Sequence, residues 1–163
     1  MESTAQKLQA SLQQILSHHP WYGPATYNII DDISFDAAYE TPPGSVHNIA
    51  GILLHMLGWA QEVTARMQGK TAGEPAAGDW PDPGQPDEDK WKQLVADFKL
   101  ANVNLADIIQ NFNKSKWDEP INDGRQQEDI PVTYRALIEG LIQHHIYHSG
   151  QIALLNRIAG GVL

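Results

Sequence analysis

Apolar residues recur along most of this chain at intervals of three and four, and no segment sustains the alternation of a strand. Leu8, Leu12, Ile15 and Leu16 mark an amphipathic first helix that ends before Pro20. The irregular stretch Trp21-Tyr22-Gly23-Pro24 leads into one brief extra helix through Ile30. Pro42-Pro43-Gly44 then breaks the chain, and Ser45 is the predicted N-cap of a second long helix running to about Met67. Ile49, Ile52, Leu53, Met56, Ala60 and Val63 share its broad apolar face, while Leu54 and Leu57 fall elsewhere on the circumference. A helix apolar on most sides is buried in a bundle or used for dimerisation.

Gly69 to Pro86 is too rich in Gly, Pro and Asp for regular structure, and Trp80 is its predicted anchor to the bundle. A third helix begins near Asp87, whose carboxylate, followed by Glu88 and Asp89, suits a helix N-terminus. Trp91, Leu94, Val95, Phe98, Leu105, Ile109 and Phe112 hold helical spacing along it. Trp117 and the polar run Asp118 to Asp129 form the next connection. After Pro131 the last helix runs to about Ile158 and stops at Gly160-Gly161. The expected architecture is all-α: a four-helix bundle with long connections, residues 1–163 forming one domain.

Charge and composition narrow the class. Lys+Arg 11 against Asp+Glu 20 gives a formal net charge of -9, and without a basic stripe such a chain is repelled by phosphate backbones. Nucleic acid is not an expected partner. The absence of cysteine removes disulfides, thiolate ligands and a Cys nucleophile together. The start of the chain lacks the basic and apolar stretches of a signal peptide, and Ile49 to Ala60 is too short for a membrane span. The expected setting is the cytoplasm, away from membranes.

Chemistry concentrates in the histidines. On a helical wheel Leu137, Leu141, His144, His148, Ile152 and Leu155 share one face, which aims His144 and His148 into the bundle. Their four-residue spacing lets both reach a single divalent ion. His145 lies to the side of that face and Tyr147 off it. In the second helix His55 sits within Ile52-Leu53-Leu54-His55-Met56-Leu57-Gly58-Trp59, at the edge of the apolar face, where it can meet the other two. Three neutral imidazoles suit Zn²⁺, Ni²⁺, Fe²⁺ or Mn²⁺. His18 and His19 close the first helix as favourable partners of its dipole. His47 occupies the predicted first turn of the second helix and is a candidate pocket residue.

What is missing matters as much. The third helix has no His, and its Asp97 and Asp107 fall between apolar positions. No Glu-x-x-His or His-Glu-x-x-His occurs, which disfavours a paired-iron carboxylate site and a zinc-protease site. A three-His set without a fourth protein ligand keeps coordination positions open, as catalytic sites do. Alternatively the histidines are packing residues and bind no metal.

The segments Gly44-Ser45-Val46-His47-Asn48-Ile49, Leu54-His55-Met56-Leu57-Gly58-Trp59 and Leu141 through Leu155 resemble the DinB-like (DinB/YfiT) superfamily, as do Trp21-Tyr22-Gly23-Pro24 and Trp80-Pro81. The resemblance covers most of the chain. It implies a four-helix bundle whose metal ligands correspond to His55, His144 and His148, and it carries no role to His145. It also implies a homodimer, and in some members a metal-dependent enzyme acting with a small thiol. On that reading Trp59 and Gln151 bind the small molecule, Gln151 reaching a ligand or metal-bound water. The competing expectation is a non-catalytic metal-binding helical dimer with a structural or stress-response role.

Overall fold

The computed structural model describes residues 2–124 and 131–160. Among these, the order is α1 (Thr4–Leu16), α2 (Thr26–Asp31), α3 (Phe35–Tyr39), α4 (Ile49–Met67), α5 (Glu88–Asn111), a 3₁₀ turn (Lys114–Lys116) and α6 (Tyr134–Ile158). No strand occurs among the described residues beyond an isolated bridge between Pro120 and Thr133. The all-α fold expected from the spacing is present.

The four long helices form a square. α4 packs on α5 and α6, and α1 packs on the same two, so α1 faces α4 across one diagonal and α5 faces α6 across the other. The centre is filled by Leu12 of α1, Leu53 and Met56 of α4, Phe98 and Leu105 of α5, and Ile138 and Ile152 of α6, all fully buried. Each such side chain contributes about 1.5–3 kcal/mol by leaving water. The short α2 leans on α6 and α3 on α4, closing the ends of that square.

Local chemistry sets the helix starts. Ser3 and Gln6 form a reciprocal capping box on α1, and the Asp87 carboxylate accepts from the Lys90 N–H at α5, as expected. At α4 the cap is Asn48 and not Ser45: the Asn48 side-chain oxygen accepts from the Gly51 N–H at 2.8 Å. The Ser45 hydroxyl instead donates to the His47 carbonyl at 2.6 Å, inside a turn. His47 therefore precedes the helix rather than sitting in its first turn. Thr133 caps α6, and Gly160, at φ 85°, ends it in a left-handed conformation that suits glycine.

Two further differences have plain causes. α3, capped by Ser34, is five residues long, too short to carry a readable period. On α6 the buried side chains are centred on Ile138, Leu141, His145 and Ile152, with Ser149 and Asn156 beside them, so the helix is turned relative to the expected wheel. Packing against α1, α2 and α4 buries a wider arc of α6 than one apolar stripe. The connection expected from Asp118 to Asp129 is described as far as Gly124, and Gly161 of the expected stop also lies outside the described residues. Trp117 is buried, packed on Phe112, and anchors that connection.

Candidate metal centre

His55 enters the bundle from the middle of α4, and His144 and His148 face it from adjacent turns of α6. The wheel readings of these three residues converge on one place. Each offers a ring nitrogen, and the three donor atoms lie within 4.8 Å of one another. The Nε2 atoms of His55 and His144 are 2.9 Å apart. Tetrahedral coordination with metal–nitrogen bonds of about 2.0–2.1 Å needs donors roughly 3.3 Å apart, so the spacing fits a single ion after small adjustments. His55 and His148 are buried and His144 is half-buried.

Partners on the far side of two rings fix which nitrogen is free. The Nδ1 of His55 lies 2.6 Å from the main-chain carbonyl oxygen of Asp79, an acceptor only, so Nδ1 carries the hydrogen and Nε2 keeps its lone pair. The Asp79 carboxylate is itself held by the Trp59 indole N–H at 2.8 Å and stands 3.4 Å from the same Nδ1. The Nδ1 of His148 donates to the Gln151 side-chain oxygen at 2.6 Å, again leaving Nε2 toward the cluster. The third ring differs: Nδ1 of His144 is buried with no hydrogen-bond partner.

Electrostatics favour the neutral form of the two α6 imidazoles. Burial, then the neighbouring His148 and His55, pushes the His144 ring down to about 4. Burial lowers His148 also; its bond to Gln151 opposes this and the nearby His55 adds to it. Three nitrogen-donor rings gathered in one spot, two of them pre-oriented, match what a borderline divalent ion requires.

The loop between α4 and α5 builds the wall around the cluster. Trp80 lies flat on His55, ring centroids 3.8 Å apart, and its other face stacks on His47 at 3.9 Å. This sandwich anchors the loop, as expected of Trp80, and holds the His55 ring in plane. A cavity of about 530 Å³ opens beside the cluster, lined by His144, Trp59, Val63, Leu137, Leu141 and Arg66. That size lies within the range of small-molecule sites. A second cavity of about 450 Å³ lies against Trp80, between His47, Tyr147, His148 and Gln151. Trp59 and Gln151, both expected near the small molecule, thus line cavities that share His148.

Several residues of consequence were not visible in the pattern. Asp79 carries no periodic signal; its only mark is adjacency to Trp80 in the loop. His145, set aside on the wheel, is the most deeply buried histidine of α6, at 0% exposure. Its Nε2 donates to the Asn102 side-chain oxygen at 3.1 Å, and Asn102 donates in turn to the Phe98 carbonyl at 3.0 Å. The bond crosses the bundle diagonally from α6 to α5. His145 points away from the cluster.

Residues 24–152 match the sequence model of the DinB superfamily. The fold is similar to a DinB-like protein from Bacillus cereus: TM-score 0.61 at 18% sequence identity, over 98% of this chain and 92% of that one. No curated protein matches the chain significantly.

Proposed function

The chain belongs to the DinB superfamily, and from that membership and the geometry of the cluster we propose a metal-dependent enzyme that joins a small thiol to an electrophilic substrate. The observation that carries the reading is the convergence of His55, His144 and His148 at the edge of a largely apolar cavity. A divalent ion held there supplies Lewis acidity, lowering the pKa of a bound thiol or water. Zn²⁺, Ni²⁺, Fe²⁺ and Mn²⁺ all suit the donor set.

The chain's own residues do the rest. Asp79 and Gln151 hold His55 and His148 with their Nε2 lone pairs turned to the centre. Trp80 and His47 keep the His55 ring from rotating. Trp59, Val63, Leu137 and Leu141 give the electrophile an apolar bed. In the transfer, the thiol proton leaves to solvent, a sulfur–carbon bond forms, and the leaving group departs with its electron pair. Turnover of thiol–electrophile pairs by metal-loaded protein, lost in His148→Ala, is the expected result. Absence of metal-dependent turnover across low-molecular-weight thiols would count against it.

The same reading includes a homodimer in the cytoplasm. The outer face of α6 leaves Tyr147, Leu154 and Ile158 more than half exposed, and Trp21 is fully exposed. Burying such side chains against a second copy favours association. Light scattering of Leu154→Asp against the parent chain tests it, the variant being expected as a monomer. No helix among the described residues is long and apolar enough to cross a membrane.

A further inference from the structure

The cavity beside the triad has two chemically distinct ends. One is the imidazole cluster. The other is Arg66, in the last turn of α4, whose guanidinium carbon lies 5.4 Å from the Trp59 ring centre. The Trp59 ring centre is in turn 6.3 Å from that of His144. Trp59 therefore floors the path between the two ends, and Val63, Leu137 and Leu141 make the walls apolar.

Arg66 has a partner, so its charge needs accounting. Its Nε donates to the Glu62 carboxylate at 3.0 Å, and a terminal nitrogen donates to the Gly73 carbonyl. Glu62 is almost fully buried and also receives Lys70, at 2.6 Å, and the Gly73 N–H at 3.3 Å. Burial pushes the Glu62 carboxyl up, but the hydrogen bonds and charges of Lys70 and Arg66 outweigh this and leave it below its ordinary range. Glu62 lies behind the wall and is shared with Lys70, so Arg66 is the cation that lines the cavity; the other charged lining group, the Asp79 carboxylate, stands at the imidazole end, held by the Trp59 indole N–H. A cation so placed is notable in a chain of formal net charge -9. A cation retained at the end of an apolar cavity of an acidic protein is a seat for an anion, and a guanidinium suits a carboxylate or phosphate.

We propose that this cavity takes a small amphipathic molecule with an apolar body and a terminal anionic group, the anion seated on Arg66 and the opposite end at the imidazole cluster. The inference names the substrate class for the site proposed above and rests on reading that cluster as the reactive end. The apolar body lies along Trp59, and the cation–π contact holds the guanidinium at the cavity wall. Selection for the anion comes from leaving Arg66 without a partner in the cavity when a neutral or cationic head is offered.

The test uses octanoate, octanamide and octylamine as probes of one length, titrated calorimetrically into the full chain, both metal-free and Zn²⁺-loaded. Octanoate is expected to bind about tenfold tighter than the amide, with the amine weakest, as a charge-assisted pair requires. Without an anion seat, the overall acidity of the chain would instead favour the amine. Arg66→Met is expected to erase the octanoate preference in the metal-free chain and Arg66→Lys to keep part of it, whereas in the Zn²⁺-loaded chain the ion itself also attracts the carboxylate. Lys70 and the Gly73 N–H remain on Glu62 in both variants. Equal affinity for octanoate and octanamide in the metal-free parent chain, or a preference that survives Arg66→Met without metal, overturns the inference. Zn²⁺ titration of the same samples separates the two readings. Metal binding without anion preference sinks the anion seat alone, whereas anion preference without metal binding sinks the metal centre and leaves the seat standing.

Discussion

Two groups of imidazoles occupy the same two turns of α6 and meet opposite fates. His144 and His148 face α4, meet a third histidine and border a cavity. His145, between them in sequence, faces α5 and is sealed in the core against Asn102 and Phe98. All three are neutral and largely removed from water. The difference lies in what opposes them: ring nitrogens aimed at a common centre in one case, an amide acceptor and an aromatic edge in the other. A buried histidine therefore becomes a candidate ligand through convergence and access, not through burial or spacing.

The sharpest way to break this comparison is to remove one ring from each side. His144→Ala should lower divalent-metal affinity by on the order of a hundredfold or more, since it deletes a donor outright. Its effect on the metal-free fold should be small, because the ring is half-buried and its Nδ1 has no partner. His145→Ala should do the reverse. It leaves a cavity and an Asn102 oxygen without its donor, a loss of about 3 kcal/mol in unfolding free energy with metal stoichiometry unchanged. Calorimetric metal titration and denaturant unfolding of both variants check the pair. A His145→Ala variant that loses metal would erase the distinction.

A smaller effect comes from the residues that orient the ligands. Gln151→Ala removes the acceptor of the His148 Nδ1–H and should weaken metal binding about tenfold, within the range for such partners. Stability should change little, as Gln151 is only partly buried. Competition with a metal-sensitive dye would measure this, and unchanged affinity would remove Gln151 from the site.

The most gradual effect is that of pH on the metal-free chain. Burial holds His144 down to about 4 and His145 to about 3 in the folded state. Unfolded histidines charge near pH 6.5. Between about pH 6.5 and 4 the unfolded chain thus binds more protons than the folded one, and stability falls as pH falls. Thermal melting across that window should show the decline, with a shallower slope in His145→Ala. Bound metal adds a second loss in the same direction, because protons and metal compete for the ligands.

The elements of the fold differ in how plainly the sequence marks them. The long helices were legible because their apolar spacing is sustained, and Asp87 was legible as a cap because its chemistry leaves few alternatives. Ser45 and Asn48 are both good caps three residues apart, and only the competing turn around His47 decides between them. The triad itself followed from four-residue spacing on α6 and a lone polar residue in an apolar run of α4. The orientation of His145 did not, since a wheel weighs apolar residues and cannot see a buried amide waiting on another helix. Asp79 and Arg66 escaped for a related reason. A loop carbonyl and a cation at a cavity end have meaning only once the chain has brought them beside the rings.

Everything proposed for the site depends on His55, His144 and His148 holding one divalent ion. Elemental analysis of protein purified without an affinity tag, parent chain against His148→Ala, tests it most directly. About one transition-metal ion per parent chain and a large loss in the variant are expected. Equal metal content in the two proteins, or none in either after equilibration with Zn²⁺, would contradict it and leave the three rings as packing residues.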